Sequence, residues 1–459
     1  MASITKRKNK YAVVYYYEDE TGETRQKWET YDSQKDALKR KAEVEHKVNE
    51  GTFIPPSQLK VSELLNDFVT LYGESHWSVS TYDGNTSLME NYIKPLIGNE
   101  LVQNITPRYV DQFYKKLQKT SAVSPRNKKP KNEVVSNPTI EKIQKLLLCA
   151  FKQAVKWEII ARNPFEFATV PKAKYQKRDI WTAETIRKAL DACVESKLYI
   201  AMNLAFACSL RVGEILGLTW DNVHISDEAI ENDDAYIFVD KELERASKRA
   251  IDSLDKKDII HVFEPMMSNN STRIVLKKPK TESSVRKVWL PKTVAYILKE
   301  WKKAQDEVKD FLGDEYQDFN LVIALANGKP CENRVLHKEF EALREKAELP
   351  KVVFHSLRHS STTYKLKLNH GDLKATQGDT GHAEIGMITK VYAHILDEDR
   401  KVNAQKFQAA FYSNKDLRNV KLPDHTNAMD INSLIAQLKD SPELRNTLAA
   451  LINSQGDTQ

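Results

Sequence analysis

Residues 354–361 read FHSLRHSS, and they place His355, Arg358 and His359 where a helix is predicted to begin. The start of a water-facing helix usually carries acidic or capping side chains, because the helix dipole is positive there. His355 and Arg358 are three residues apart and therefore share one helical face. His359 is offset from that face, and we predict that it packs in the interior. The crowding of basic groups predicts that an anionic group binds at this helix start.

An arginine with an acid close behind it lies in a second stretch, SLRVGEILGLTW at 209–220. Arg211 follows a nearly unbroken apolar helix and precedes another apolar run, and an arginine in such surroundings is rarely unpaired. Glu214, three residues further on, is the predicted partner that orients it. A buried Arg–Glu pair with a purely structural role remains an equal alternative on this stretch alone.

Two further stretches supply a lysine, a histidine and a tyrosine. In KKPKTESSVRKVWLP at 277–291, Lys280 is predicted at the turn between two strands of a hairpin, with TESS forming the turn. Such a lysine is usually solvated, so its position alone is weak evidence of function. In QGDTGHAEIGMITKVYAHI at 377–395, His382 opens a helix after a tight turn at the preceding glycine, and Tyr392 follows ten residues later.

Together these side chains form a phosphate-handling set. Arginine forks pair with two phosphate oxygens at once, and a five-coordinate phosphorus transition state needs its charge neutralised away from water. Tyrosine can attack a phosphodiester and leave again, which gives a covalent enzyme–DNA bond. The sequence has no HExxH or EF-hand motif, and its nearest approach to a phosphate loop, NGKP at 327–330, lacks the first glycine and the Ser/Thr. We therefore expect no metal and no cofactor.

The four stretches together resemble the tyrosine recombinase (phage integrase) family, through RVGEILGLTW, PKTESSVR, HSLRH, and GH followed by VYAHI. The resemblance extends over nearly the whole chain. It has two departures: Thr380 precedes the Gly-His pair where a leucine is usual, and a long insertion separates Arg211 from Lys280. Because of that insertion, Lys277 and Lys278 stay open as alternatives to Lys280.

The resemblance implies how the phosphate is held and attacked. Arg211 and Arg358 are expected to hold the non-bridging oxygens of the scissile phosphate, and His382 to add a hydrogen bond. Tyr392 is expected to attack the phosphorus, which leaves a 3′-phosphotyrosyl link and a free 5′-hydroxyl. The covalent bond stores the phosphodiester energy, which accounts for a sequence without an ATP-binding motif.

The same resemblance assigns the proton transfers. His355 is expected to accept the tyrosine proton, and Lys280 to protonate the leaving 5′ oxygen. Glu214 is expected to orient Arg211 from behind.

Length and element order predict a multidomain α+β protein, since 459 residues suffice for two or three domains. A β-hairpin and one helix at 1–55 resemble an arm-type DNA-binding domain, although a dimerisation cap fits them equally well. Four helices are predicted within a core-binding domain at 56–170. A helix-rich α+β catalytic domain is predicted at 171–413, with a helical insertion at 241–257, and a tail with an amphipathic helix at 414–459.

Charge and hydropathy narrow the class of protein further. The mean hydropathy is −0.56, and no apolar run is long enough for a membrane span. A net charge of +6 permits nucleic acid as a partner without requiring it. From the resemblance we expect a cytoplasmic bacterial enzyme that binds double-stranded DNA attachment sites as a homo-tetramer. An excisionase or a host DNA-bending protein is a further partner that the resemblance allows.

Four other functions are alternatives to this interpretation. A type IB topoisomerase shares the chemistry but only nicks and reseals, and a recombinase that resolves chromosome dimers shares the fold. A metal site built from His355, His359, His370 and His382 lacks a carboxylate or cysteine at ligand spacing. A catalytically inactive DNA-binding regulator does not require a tyrosine beside two arginines. The arm-like segment and the length favour the integrase of a mobile element.

Overall fold

The structure, a computed structural model, describes most of the chain up to Gly381. The described residues are 2–18, 22–124, 130, 132–173, 179–265, 270–369, 371–381, 386 and 441–442. His382, Tyr392 and, apart from residues 441–442, the predicted tail lie outside them. Residues 1–393 form one compact body and residues 394–459 a second.

The N-terminal sheet unit is an antiparallel sheet covered by one helix. Its elements are β1 (Ser3–Arg7), β2 (Lys10–Glu18), β3 (Thr24–Tyr31) and α1 (Gln34–Asn49). Strand β2 pairs with β3, so the predicted hairpin is confirmed, and β1 adds an edge strand on the other side of β2. The hydroxyl of Ser33 accepts a hydrogen bond from the N–H of Asp36 at 3.1 Å, which confirms the predicted helix start. Val13, Tyr15 and Val44 lie in the core between sheet and helix.

The helical unit follows. Its helices are α2 (Val61–Asp67), α3 (Glu74–His76), α4 (Val79–Leu88), α5 (Lys94–Ile97), α6 (Pro107–Leu117) and α7 (Asn137–Lys156). π-Helical turns at Phe68–Gly73 and Met89–Ile93 join α2 to α3 and α4 to α5. The described part of this unit therefore forms four helical rods, as predicted. Apolar side chains such as Leu64, Phe113 and Phe151 share one buried cluster.

The α+β unit has its own hydrophobic cluster, which includes Leu204, Val288 and Leu357. Its helices are α8 (Ala183–Asp191), α9 (Ser196–Ala207), α10 (Val212–Gly217), α11 (Asp227–Glu231), α12 (Lys248–Ser253), α13 (Lys292–Leu312), α14 (Asn333–Lys346), α15 (Ser356–Leu368) and α16 (Leu373–Thr380). Its strands are β4 (Val223–His224), β5 (Tyr236–Val239), β6 (Glu242–Ser247), β7 (Ile259–Val262), β8 (Thr272–Lys277) and β9 (Arg286–Trp289). The helix-rich α+β class is as predicted.

The strand pairing corrects the predicted hairpin around Lys280. In the described part of the α+β unit the strands form two three-stranded sheets, in the orders β4-β5-β9 and β6-β8-β7. Strands β8 and β9 therefore belong to different sheets, because β8 pairs with β6 and β7 while β9 pairs with β5. Lys280 lies in the connection that leaves one sheet and enters the other through a short 3₁₀ turn at Glu282–Ser284.

The predicted helical insertion at 241–257 is only partly helical. Its first half, Glu242–Ser247, is strand β6, and only Lys248–Ser253 is helix. The segment is rich in residues that favour helices. This helix preference is overridden at Glu242–Ser247 because β6 pairs along its whole length with β8.

The insertion packs against the helical unit. Ile251 and Leu254 belong to the buried cluster of that unit and not to the cluster of their own. Polar contacts accompany them: the Tyr82 hydroxyl donates to Ser253 Oγ at 3.0 Å, and Asp83 accepts from the N–H and hydroxyl of Ser247 at 2.9 and 2.5 Å. These contacts fix α4 beside the α+β unit.

Among the helices of the described ranges, none has the length and apolarity needed to cross a bilayer.

Candidate active site

A cleft of about 1350 Å³ lies where the helical unit meets the α+β unit. Ser80 of α4 lines it from one side, and Arg211, Lys280 and His355 line it from the other. Three of the predicted site residues are thus brought to one cleft from segments far apart in sequence. Arg358 lies behind them and is only 1% exposed.

Glu214 fixes Arg211 through both its backbone and its side chain. Glu214 occupies the third position of α10, from which its carboxylate reaches back to the helix start. Oε2 accepts from the Arg211 N–H at 2.8 Å, and Oε1 accepts from Arg211 Nη1 at 2.7 Å. Arg211 Nη2 donates to the carbonyl of Gly381 at 3.1 Å. The guanidinium that lines the cleft is therefore anchored at two points.

Arg358 joins the segment before Arg211 to the turn before His382. Its Nη1 donates to the Ser209 carbonyl, and its Nη2 donates to the Thr380 carbonyl at 2.7 Å. These bonds fix the guanidinium plane, and Nη1 also lies 3.9 Å from Glu214 Oε2.

Arg286 is a member of this cluster that the sequence motifs did not predict. Its Nη1 and Nη2 donate to the two carboxylate oxygens of Glu214, each at 3.2 Å. Among the described residues, three arginines thus surround Glu214, which is 1% exposed. The available signal was the alternation of β9, in which Arg286 and Val288 face inward, since a charged residue at an inward position needs a partner.

The electrostatics of Glu214 follow from these contacts. Burial raises the pKa of its carboxyl, but the charges of Arg286, Arg211 and Arg358 outweigh burial and hold the pKa below its usual value. Glu214 is therefore ionised at neutral pH. The three guanidinium groups outnumber the carboxylate by two, which favours the arrival of an anion at the cleft.

His355 precedes α15 and contacts His359, with ring centroids 4.7 Å apart at 89°. His359 is buried, in agreement with the predicted interior position. Lys280 is exposed on the wall of the cleft, and its Nζ lies 3.3 Å from Thr81 Oγ1 of the helical unit.

Lys277 has a different environment from Lys280. It is buried, and its Nζ lies 2.6 Å from Glu242 Oε1 and 3.0 Å from Glu244 Oε2. Burial lowers the pKa of Lys277, but the two glutamates outweigh burial and raise it. A raised pKa makes an ammonium a poorer proton donor near neutral pH. Both lysines line the cleft, but Lys277 is held there by two carboxylates, whereas Lys280 is exposed.

The turn that leads to His382 is described up to Gly381. Gly381 ends α16 with φ +64°, a left-handed conformation that favours glycine. A Cβ at this position would lie 2.9–3.0 Å from the guanidinium and Cδ atoms of Arg286, so space also requires glycine. The predicted tight turn is confirmed, whereas His382 and Tyr392 lie outside the described residues. Within the described ranges, no three His, Cys, Asp or Glu side chains are grouped to hold a metal ion.

The cleft between the helical unit and the α+β unit thus presents cationic groups, fixed by one buried carboxylate, to an anionic ligand. The family model described as Phage integrase family matches residues 181–399, and the model described as Phage integrase, N-terminal SAM-like domain, matches residues 60–118. Together the two phage integrase models match more than half of the chain, which places it in the phage integrase family.

The chain is similar to several known proteins at low sequence identity. The chain is 26% identical over 280 residues to a tyrosine recombinase XerC-like protein of Caldanaerobacter subterraneus, a match that spans 59% of this chain and 65% of that protein. It is 22% identical over 328 residues to the ICEBs1 integrase of Bacillus subtilis, which covers 71% and 76% of the two chains. The solved integrase of transposon Tn1549, in complex with a circular intermediate DNA, superposes with a TM-score of 0.57 at 20% identity over 76% of this chain and 99% of that one. That likeness supports the same fold.

Proposed function

We propose that the chain is the integrase of a mobile genetic element, which cuts and rejoins DNA through a 3′-phosphotyrosyl intermediate. The observation that carries the proposal is the anchoring of Arg211 by Glu214 on the wall of a cleft that Lys280 and His355 also line. Arg358 lies directly behind. This arrangement provides cationic donors for a phosphate, a base and an acid within one cleft.

The reaction proceeds by in-line displacement at the scissile phosphorus. Arg211 and Arg358 neutralise the non-bridging oxygens, and His382 donates one further hydrogen bond. The Tyr392 oxygen forms the new bond to phosphorus as the bond to the 5′ oxygen breaks. His355 accepts the tyrosine proton and Lys280 donates a proton to the 5′ oxygen, so charge is balanced. Rejoining is the same sequence in reverse, with the 5′-hydroxyl of a second strand as nucleophile.

The proposed domains are an arm-type DNA-binding domain at 1–55, a core-binding domain at 56–170, a catalytic domain at 171–413 and a tail at 414–459. Three hydrophobic clusters support this division, and residues such as Ile251 and Leu254 of the catalytic domain pack into the cluster of the core-binding domain. The core-binding and catalytic domains close around double-stranded attachment-site DNA, and four copies of the chain assemble on it. An excisionase or a host DNA-bending protein sets the direction of recombination, and the enzyme acts in the bacterial cytoplasm.

Trapping of the covalent adduct tests this function. The protein is incubated in EDTA with nicked duplexes that carry the ends of its element, and the DNA-linked peptide is mapped after denaturing electrophoresis. The proposal expects a linked peptide that contains Tyr392, and transfer of the strand to a second duplex separates recombination from relaxation of a single duplex. A Tyr392→Phe variant is expected to bind the same DNA without an adduct. Bound DNA with no adduct from the wild-type protein would refute the assignment.

A further inference from the structure

Arg286 contacts Glu214, the segment before β9 and the turn at 379–381, all behind the predicted phosphate site. Besides the fork to Glu214, its Nη1 donates to the Ser284 carbonyl at 2.9 Å and its Nε donates to the Asp379 carbonyl at 3.4 Å. Its guanidinium also packs against Gly381, where it leaves no room for a side chain. Arg286 is 8% exposed and does not belong to the residues that line the cleft.

The Glu214 carboxylate accepts hydrogen bonds from the guanidinium groups of two arginines, Arg286 and Arg211. Arg286 binds both oxygens as a fork, whereas Arg211 binds Oε1 with one nitrogen and turns the rest of its guanidinium towards the cleft and Gly381. A carboxylate with a fork on one side can rotate little. Arg286 therefore limits the positions available to Arg211.

Arg286 also contacts the turn at 379–381, which precedes His382. The carbonyls of Asp379, Thr380 and Gly381 accept from Arg286, Arg358 and Arg211 respectively. This run of bonds ends one residue before His382, so a shift of Arg286 displaces the turn that leads to His382.

We propose that Arg286 is a positioning residue for strand cleavage: it fixes Glu214 and the turn at 379–381, and through them aligns Arg211 with the scissile phosphate. The inference rests on the proposed recombinase function. An offset of the order of 1 Å at a reacting group can cost about 10²-fold in rate. Arg286→Met is therefore expected to slow adduct formation by about that factor while the dissociation constant for DNA changes little.

The experiment compares two substrates in single-turnover adduct formation. One is the ordinary nicked duplex, and the other carries a methylphosphonate at the scissile position, where a neutral methyl group replaces one charged oxygen. If Arg286 acts by aligning a cation with phosphate charge, the loss in Arg286→Met is smaller on the methylphosphonate. A loss that is equal on both substrates indicates a general structural defect and overturns the inference.

Matched variants complete the design. Lys287→Met alters the neighbouring residue on the outer face of β9, where its ammonium lies 3.7 Å from the ring centroids of Tyr236 and Trp289, and it is expected to cleave both substrates normally. If Arg286→Met does not fold, as judged by circular dichroism, Arg286→Lys replaces it. A single ammonium cannot fork, so a smaller, still charge-dependent loss supports the inference and full activity overturns it. Wild-type protein without an adduct refutes the recombinase function itself, and the inference with it.

Discussion

The Glu214 carboxylate accepts from both the backbone N–H and the guanidinium of Arg211, at 2.8 and 2.7 Å. One side chain thus defines the start of α10 and the direction of the arginine at that start. Because Glu214 is buried and ionised among cations, Arg211 enters the cleft already paired on one side. A phosphate that binds there completes an existing charge arrangement and does not have to assemble it.

Loss of Arg211 and loss of Arg358 are expected to slow catalysis to a similar extent but to lower the stability of the fold to different extents. Replacement of either by alanine should slow adduct formation by about 10²–10³-fold, as the loss of a preorganised donor does. Arg211 has one third of its side chain exposed, and Glu214 keeps its fork to Arg286 in Arg211→Ala, so this variant should lose less stability in urea than Arg358→Ala. Arg358→Ala removes the hydrogen bonds from Arg358 to the buried Ser209 and Thr380 carbonyls, and its free energy of unfolding should fall by about 1–3 kcal/mol. Equal urea midpoints for the two variants would contradict this division.

A substrate whose leaving 5′ oxygen is replaced by sulfur shows whether Lys280 or Lys277 protonates the leaving group. A thiolate leaves without protonation, so Lys280→Ala should lose about 10²-fold in cleavage of the ordinary substrate and little with the sulfur substrate. Lys277→Ala should instead lose stability, because it leaves Glu242 and Glu244 unpaired beside a buried position. Rescue of Lys277→Ala by sulfur, with none for Lys280→Ala, would exchange the two assignments.

Short-range relationships in the site were accessible from the sequence. The Arg211–Glu214 spacing, the Ser33 helix cap and the turn at Gly381 depend on residues within a few positions of each other, and all three are present in the structure. Amphipathic periodicity likewise identified the four helical rods. These features follow from backbone geometry that any short segment already contains.

Long-range relationships were not accessible. Arg286 meets Glu214 across 72 positions, through a strand pairing that composition does not specify. The hairpin predicted around Lys280 was wrong for the same reason. Strands β8 and β9 are consecutive in sequence, but β8 pairs with β6 and β9 pairs with β5, so they lie in different sheets. Strand pairing is decided by the burial of whole faces, which a local pattern does not reveal.

Asp83 is expected to help keep the two walls of the cleft together. Its carboxylate accepts from the N–H and hydroxyl of Ser247 across 164 positions. Asp83→Ala should lower the free energy of unfolding by about 1–3 kcal/mol, and should raise the dissociation rate of bound DNA because α4 is less firmly held. The matched control is Glu90→Ala, since Glu90 pairs with Lys94 inside the helical unit. Similar DNA dissociation rates for the two variants would show that this contact does not hold the cleft closed.

Glu29 should make the stability of the N-terminal sheet unit depend on acid pH. It accepts from the Tyr15 and Tyr31 hydroxyls at 2.6 and 2.8 Å and from Arg40 Nε at 2.7 Å. Burial raises the pKa of Glu29, but these partners outweigh burial and lower it from 4.5 to about 2. A folded-state pKa below the unfolded value stabilises the fold above pH 4.5, and the contribution disappears as the pH falls towards 2.

Glu29→Gln is the variant that isolates this effect. Above pH 4.5 it should be less stable than the wild type by a constant amount, about 1 kcal/mol for a partly exposed and therefore screened group. Between pH 4.5 and 2 the difference should shrink, because the wild type binds a proton there on unfolding and the glutamine variant does not. Urea unfolding of the full chain followed by tyrosine and tryptophan fluorescence, at pH values across this range, measures the difference. A difference that stays constant down to pH 2 would mean that the charge of Glu29 contributes nothing and that shape alone matters.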